Sequence, residues 1–254
     1  LGPKHTPVIS SRVEFGDNAY EFRLKPTANG ILQIAEEAVE YSGARDVIGT
    51  ANEESVLRER KDDQSKWNPG SPGVCHFVFA SVSSWTVYHF HDTSRLAPMR
   101  LDQPLRDWER FNDDASNIAP FLFKLKEDHP GSYELIRDTT RLIAPFFDDF
   151  LFRPQTKGPN EQLRLEWRQK GSQFPFQPYQ LSDGTIRFIC LATALQQPDP
   201  PATIVIDEPE LGLHPYAIAI LAELIQSAAA RTQVVIATQS PVLLDHFEPD
   251  DIIV

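Results

Sequence analysis

The sequence predicts a mixed α/β fold, and three observations predict it. An N-terminal stretch alternates apolar with polar residues, RVEF, a GDN turn and then AYEFRLK, as half-buried antiparallel strands do. Near the other end, two short and wholly apolar runs, Ile204–Ile206 and Val234–Ala237, flank a segment with helical apolar spacing. Between these regions, Asn117–Phe150 reads as helices interrupted at His129-Pro130-Gly131 and at Pro145.

Taken in order, the first ten residues, LGPKHTPVIS, carry no periodic pattern. Tyr20, Phe22 and Leu24 then point one way and Glu21, Arg23 and Lys25 the other. After a PTANG turn, Ile31–Tyr41 is a candidate third strand, giving a meander with one wet face. The Glu36–Glu37 pair inside it favours helix instead. Asp46–Gly73 turns polar, with RERKDDQ at Arg58–Gln64 and NPGSPG after it, and reads as a solvated loop. His76–Phe90 fits helix and strand equally, whereas QLRLEW, Gln162–Trp167, reads as a strand. Leu181–Gln197 is a helix capped by Ser182, and Pro215–Ala230 another, with Ile218, Leu221, Leu224 and Ile225 along one face. Strand, helix and strand then form a right-handed crossover of a parallel sheet. The expected organisation is a β-meander part with a polar excursion over 1–84, a helical subdomain over 85–150, and a final α/β part over 151–254.

Composition excludes several classes. The 254 residues are 41% apolar and 24% charged, ordinary for a globular protein. A net charge of −12 argues against a wholly basic nucleic-acid binder, though not against a local basic patch. No apolar run approaches the roughly 18–20 residues of a membrane span, and no signal peptide opens the chain, so a cytoplasmic location is expected. Cys75 and Cys190 have no metal-ligand spacing and read as buried thiols of a reducing compartment. The H-x-H pair His89 and His91, beside Asp92, reads as packing and hydrogen bonding rather than a metal site. Asp113–Asp114 and Asp148–Asp149 read as helix-end acids, and Trp85, Tyr88 and Phe90 as core.

The chemistry concentrates near the C-terminus. Ser182 and Gly184 open a helix whose unpaired N–H groups and dipole favour an anion. The strand IVIDEP ends in Asp207 and Glu208, at the carboxyl edge where ligands of parallel sheets collect. Adjacent strand residues face opposite ways, so one acid can hold Mg²⁺ through its water shell while the other polarises an attacking water. The crossover places Gln239, in ATQSP, at the same edge.

In order and spacing these elements resemble the ATPases of the ATP-binding-cassette superfamily. LSDGT is similar to the signature motif, IVIDEP to Walker B, LGLHP to the loop that follows it and ATQSP to the switch region. The DEPELGLHP and ATQSP spellings resemble the RecF/SMC-like branch and its bacterial predicted AAA/ABC-type ATPases. VYHFHDTS at Val87–Ser94 and IAPFFDDF at Ile143–Phe150 resemble that family too. The resemblance implies a P-loop NTPase head with a mixed sheet and a helical subdomain. It also implies Mg²⁺ on Asp207, Glu208 as general base and Gln239 at the switch position, where the superfamily commonly has His. Leu181, Ser182, Asp183, Gly184 and Thr185 would touch ATP held by a second subunit, with Leu213 and His214 in the loop facing across that homodimer.

One element of that family is missing from these residues. The phosphate loop G-x-x-x-x-G-K-[ST] does not occur, and no Gly precedes a Lys. Together with the DIIV ending, read as mid-strand, this leads to the expectation of an incomplete chain. The expected activity is ATP binding and hydrolysis in DNA repair, chromosome maintenance or antiphage defence, with DNA and a nuclease or other effector as partners. The competing expectation is a non-hydrolysing head that docks such an effector; a transporter motor is disfavoured by the spelling of the loop.

Overall fold

The structure, a computed structural model, describes residues 8–66, 68, 70–157 and 160–253. Residues 1–7 of the patternless opening and Pro69 of NPGSPG lie outside these. The chain divides into two compact units, Leu1–Ser84 and Trp85–Val254.

The first unit is an antiparallel meander of four strands in sequence order, β1 (Ile9–Phe15), β2 (Asn18–Pro26), β3 (Leu32–Tyr41) and β4 (Ala44–Asn52), followed by α1 (Leu57–Arg60) and α2 (Val74–Ser83). The β3–β4 turn is Ser42-Gly43, both at positive φ (45° and 83°), as a two-residue hairpin turn demands. All of β4 but Ala44 and Arg45 falls inside the stretch read from sequence as loop. Its apolar content is slight, with Ile48 buried and Val47 exposed, so alternation barely registers. β3 is a strand in spite of its adjacent glutamates, because they divide between the two faces. Glu36 lies on the open face and pairs with Arg45 at 2.5 Å, while Glu37 is turned inward. The open face also carries Arg12–Glu40 and Arg45–Glu21 pairs, each a weak surface contact.

The covered face packs Tyr20, Val39 and Ile48 against Leu57, Val74, Cys75 and Val78. Glu37 sits in this core at 0% exposure. Its carboxylate accepts hydrogen bonds from the Tyr20 hydroxyl (2.6 Å), the Ser55 hydroxyl (2.5 Å) and the Val56 amide (3.0 Å). Burial, then the bond to Glu37, pushes the Tyr20 phenol above its ordinary pKa, which keeps it a donor.

The second unit is built on a parallel sheet of β5 (Thr86–Tyr88), β12 (Thr203–Asp207) and β13 (Gln233–Ala237), with β12 in the middle. Seven elements that follow β5 form the helical and antiparallel part. They are β6 (Gln103–Pro104), α3 (Ile118–Asp128), α4 (Pro130–Ile143), β7 (Phe147–Leu151), β8 (Gln155–Lys157), β9 (Asn160–Leu163) and β10 (Glu166–Gln169). After β11 (Pro175–Phe176) comes α5 (Asp183–Gln196), buried from Ile186 to its end. α6 (Pro215–Ala229) links β12 to β13, and α7 (Pro241–Leu244) follows β13. Ile204 and Ile206 turn into the main core with α5 and α6. Their alternates Val87, Val205 and Val235 lie in register across the sheet, with Val87 and Val235 43% and 46% exposed.

Four expectations change here. The His76–Phe90 stretch is divided, α2 ending at Ser83 and β5 starting at Thr86. FDDFL is a strand rather than a helix end: it pairs antiparallel with β10, and a register shift that skips Asp148 goes with burial of both Phe147 and Phe150, three positions apart. Its acids find partners across the fold, Asp148 with Arg168 at 2.6 Å and Asp149 with the Tyr133 hydroxyl at 2.6 Å. QLRLEW is two strands, β9 and β10, that pair in different sheets. At the end of the chain, Ile252 and Ile253 follow a short helical turn and form no strand. Cys75 and Cys190 are free and buried, and burial pushes both thiols up.

Removing the Glu37 carboxylate strands three donors in the core of the first unit. Glu37→Ala is expected to lower unfolding stability by about 2–4 kcal/mol, and Tyr20→Phe by about 1 kcal/mol, in urea titration. Equal losses from the two variants would show that Glu37 is not the hub.

Candidate functional site

The parallel register levels three strand ends. Ile206 pairs with Tyr88 and Asp207 with Ala237, so His89, Glu208 and Thr238 begin the loops of one edge. The ladder runs one bond further, the Glu208 amide donating to the Ala237 carbonyl at 2.7 Å. Glu208 then turns sharply: its φ is +42°, in the left-handed region that disfavours a side chain. Asp207 is exposed and Glu208 half-buried, so the two acids occupy different environments. Gln239 is exposed two residues beyond β13.

The loop after β12 is held from both sides. Glu210 accepts a 2.5 Å hydrogen bond from the Thr238 hydroxyl, whose oxygen accepts the Ser240 amide at 3.0 Å. The second Glu210 oxygen is buried without a hydrogen-bond partner. Ser240 caps α7 through the Leu243 amide. Leu213 is half-buried and packs on the main core, while His214 caps α6, its Nδ1 accepting the Tyr216 amide at 3.3 Å before Pro215.

Ser182 caps α5 as its sequence implies, its hydroxyl accepting the Thr185 amide at 3.1 Å and meeting the Thr185 hydroxyl at 2.8 Å. Leu181 is buried, Ser182 and Asp183 are exposed. Gly184 is required by packing. A Cβ there would stand 2.5 Å from the Gly212 carbonyl oxygen, so the start of α5 and the loop after β12 meet backbone to backbone.

Four further residues belong to this neighbourhood. His91 Nε2 lies 4.0 Å from Asp207 Oδ2. Arg187, 7% exposed, donates from Nε to the Phe90 carbonyl (2.9 Å), from Nη2 to that of His91 (2.9 Å) and from Nη1 to that of Leu211. Burial lowers its pKa from the usual arginine value. Arg100, also buried, donates to the Thr93, Pro178 and Leu181 carbonyls and to Asp183 Oδ1 at 2.8 Å. Glu210 is the fourth. The signal for Arg187 was one cation within the apolar run of a helix; Arg100, in a short turn, gave none. Tyr88 and Phe90 are core, as expected.

An acid pair ends the central strand of the parallel sheet, polar residues follow the next strand, and a serine-capped helix meets the loop between them. Residues 76–245 match the family described as "AAA domain, putative AbiEii toxin, Type IV TA system", and the chain belongs to that family. The match agrees with the bacterial AAA/ABC-type ATPases that the motifs resemble. A search of proteins of curated function returns no match. Similar solved structures include an SMC head bound to the C-terminal winged-helix domain of ScpA (13% identity, 91% of this chain and 69% of that one, TM-score 0.47). Others are the SMC head domain from Thermotoga maritima (11%, 92% and 68%, TM-score 0.37) and a Pyrococcus furiosus-derived SMC head with an extended coiled coil (9%, 91% and 73%, TM-score 0.40). With TM-scores below 0.5, these likenesses assign neither role nor partner to this chain. Among the described residues no helix is long and apolar enough to cross a membrane.

Thr238→Val deletes the hydroxyl that Glu210 holds and leaves that carboxylate without its one bonded donor. A loss of about 1–3 kcal/mol is expected in chemical denaturation. A change of a few tenths would show that Glu210 has turned to solvent.

Proposed function

We propose that this chain is the hydrolytic lobe of an ATPase head that associates with a second copy of itself when ATP is bound. The reading is carried by one observation: Asp207 and Glu208 close the central strand of the parallel sheet beside the strand that leads to Gln239. Asp207, exposed and close to His91, is the acid suited to Mg²⁺. Among the described residues no three His, Cys, Asp or Glu side chains gather into a cage. Mg²⁺ in such sites keeps several waters and takes its remaining ligands from one or two carboxylates and phosphate. When bound, Mg²⁺ neutralises charge on the transferring phosphoryl group. Glu208, set apart by its turn, accepts the proton of the attacking water, and Gln239 orients that water as donor and acceptor.

Leu181 to Thr185 then serve the nucleotide of the partner copy. The Ser182 hydroxyl and the amides at the start of α5 offer donors to a terminal phosphate, and Leu213 and His214 lie in the loop facing the other copy. A glycine-lysine cradle for the phosphates is not among these 254 residues, and the tests use the protein in the form in which it occurs. Hydrolysis separates the copies, and ATP acts as a switch on a DNA or effector partner.

Glu208→Gln is expected to cut the ATP turnover rate by at least ~100-fold and to leave an ATP-dependent dimer visible by light scattering. Chelation of Mg²⁺ abolishes turnover of the unmodified protein. Equal turnover by both proteins removes the hydrolytic role of Glu208, and no turnover by either leaves a non-hydrolysing docking head. Stimulation by duplex DNA, compared at two salt concentrations, tests the DNA partner.

A further inference from the structure

Arg187 is a buried guanidinium whose hydrogen bonds, among the described residues, all end on backbone carbonyls. Taking such a cation out of water is costly, and no carboxylate of the described residues bonds to it in return. Its partners are chain segments rather than side chains: Phe90 and His91 beyond β5, and Leu211 in the loop after β12. Arg100 does the same from the other side, joining the Thr93 carbonyl to the Pro178 and Leu181 carbonyls and to Asp183. The His89–Ser94 segment is thus fastened at 90, 91 and 93, through two arginines, to the start of α5 and to the loop after β12. The contact between Gly184 and the Gly212 carbonyl closes the third side of the triangle.

We propose that Arg100 and Arg187 are positioning residues that couple the start of α5 to the acid pair, so that a phosphate docked at Ser182 and Gly184 is felt at Asp207 and Glu208. This rests on the function proposed above, and adds how the site that receives the partner's nucleotide regulates the chain's own hydrolysis. The physical basis is the rigid planar fork of arginine. Its five donors fix three carbonyls at set angles, which a lysine ammonium on a flexible stem cannot do. A small shift of the α5 start therefore pulls the His91 and Leu211 backbones together. His91 faces Asp207 at 4.0 Å, and Leu211 is three residues from Glu208. Arg100 also holds the charge of Asp183, an exposed acid at a helix start offered to phosphate.

The test compares wild type with Arg187→Lys, Arg100→Lys and Gly212→Ala in the protein as it occurs. Gly212→Ala strains the same tie from the loop side: the residue has φ +75°, and its Cβ would come 3.2 Å from Arg187 Nη1. Folding is checked by melting temperature, and kcat, KM for ATP and ATP-dependent dimerisation in a Glu208→Gln background are measured. Expected is a kcat lowered about tenfold or more with KM changed less than about threefold and dimerisation kept. Unchanged kcat in folded variants overturns the proposal, as does a loss of activity that only follows the unfolded fraction. If Arg187→Lys does not fold, the other two variants decide on the same split. A wild type without turnover sinks the ATPase reading itself and this inference with it.

Discussion

Parallel pairing of β12 with both neighbours leaves Tyr88, Asp207 and Ala237 ending near one level, and the candidate site is arranged around that edge. A parallel ladder permits no hairpin return, so each strand must leave the edge by a longer connection. Those connections carry His91, Glu208 to His214, and Thr238 to Ser240. Apolar pairing of Ile204 and Ile206 with the core sets the height of the edge. The acids therefore inherit their position from residues with no chemistry of their own.

The buried polar groups separate into two kinds of work. Glu37 in the first unit gathers three donors and ties β2 and β3 to the chain entering α1, a role confined to stability. Arg100 and Arg187 instead gather carbonyls from segments remote in sequence. Each is a charge in low dielectric whose cost is offset by several simultaneous hydrogen bonds, joined at Arg100 by the ion pair with Asp183. Such groups lock one arrangement of several loops, where an apolar side chain would merely fill space.

Much of this was legible beforehand, and the failures have physical reasons. The two apolar strands, their crossover helix and the acids between them were visible because each strand is a continuous apolar run, even where one face stays open, as at Val235. Ser182 as a cap followed from its place before an apolar helix. β4 was lost because one buried residue cannot sustain an alternating pattern, and FDDFL was misjudged because paired acids hid two buried phenylalanines. The role of Gly184 was only half legible. Sequence marked it as part of an anion-favouring helix start, but the Gly212 carbonyl that approaches it comes from a loop 28 positions away, which spacing cannot reveal. The partners of Arg187 were invisible for the same reason, since they are carbonyls that every residue possesses.

The left-handed turn at Glu208 has a consequence for anyone engineering this protein. Glycine occupies that conformation without steric cost, and asparagine tolerates it better than glutamate does. A screen that ranks variants by melting temperature alone would be drawn to replace Glu208, and would select the more robust protein at the expense of the carboxylate. Thermal stability and the acid at this position are set against each other by a single torsion angle.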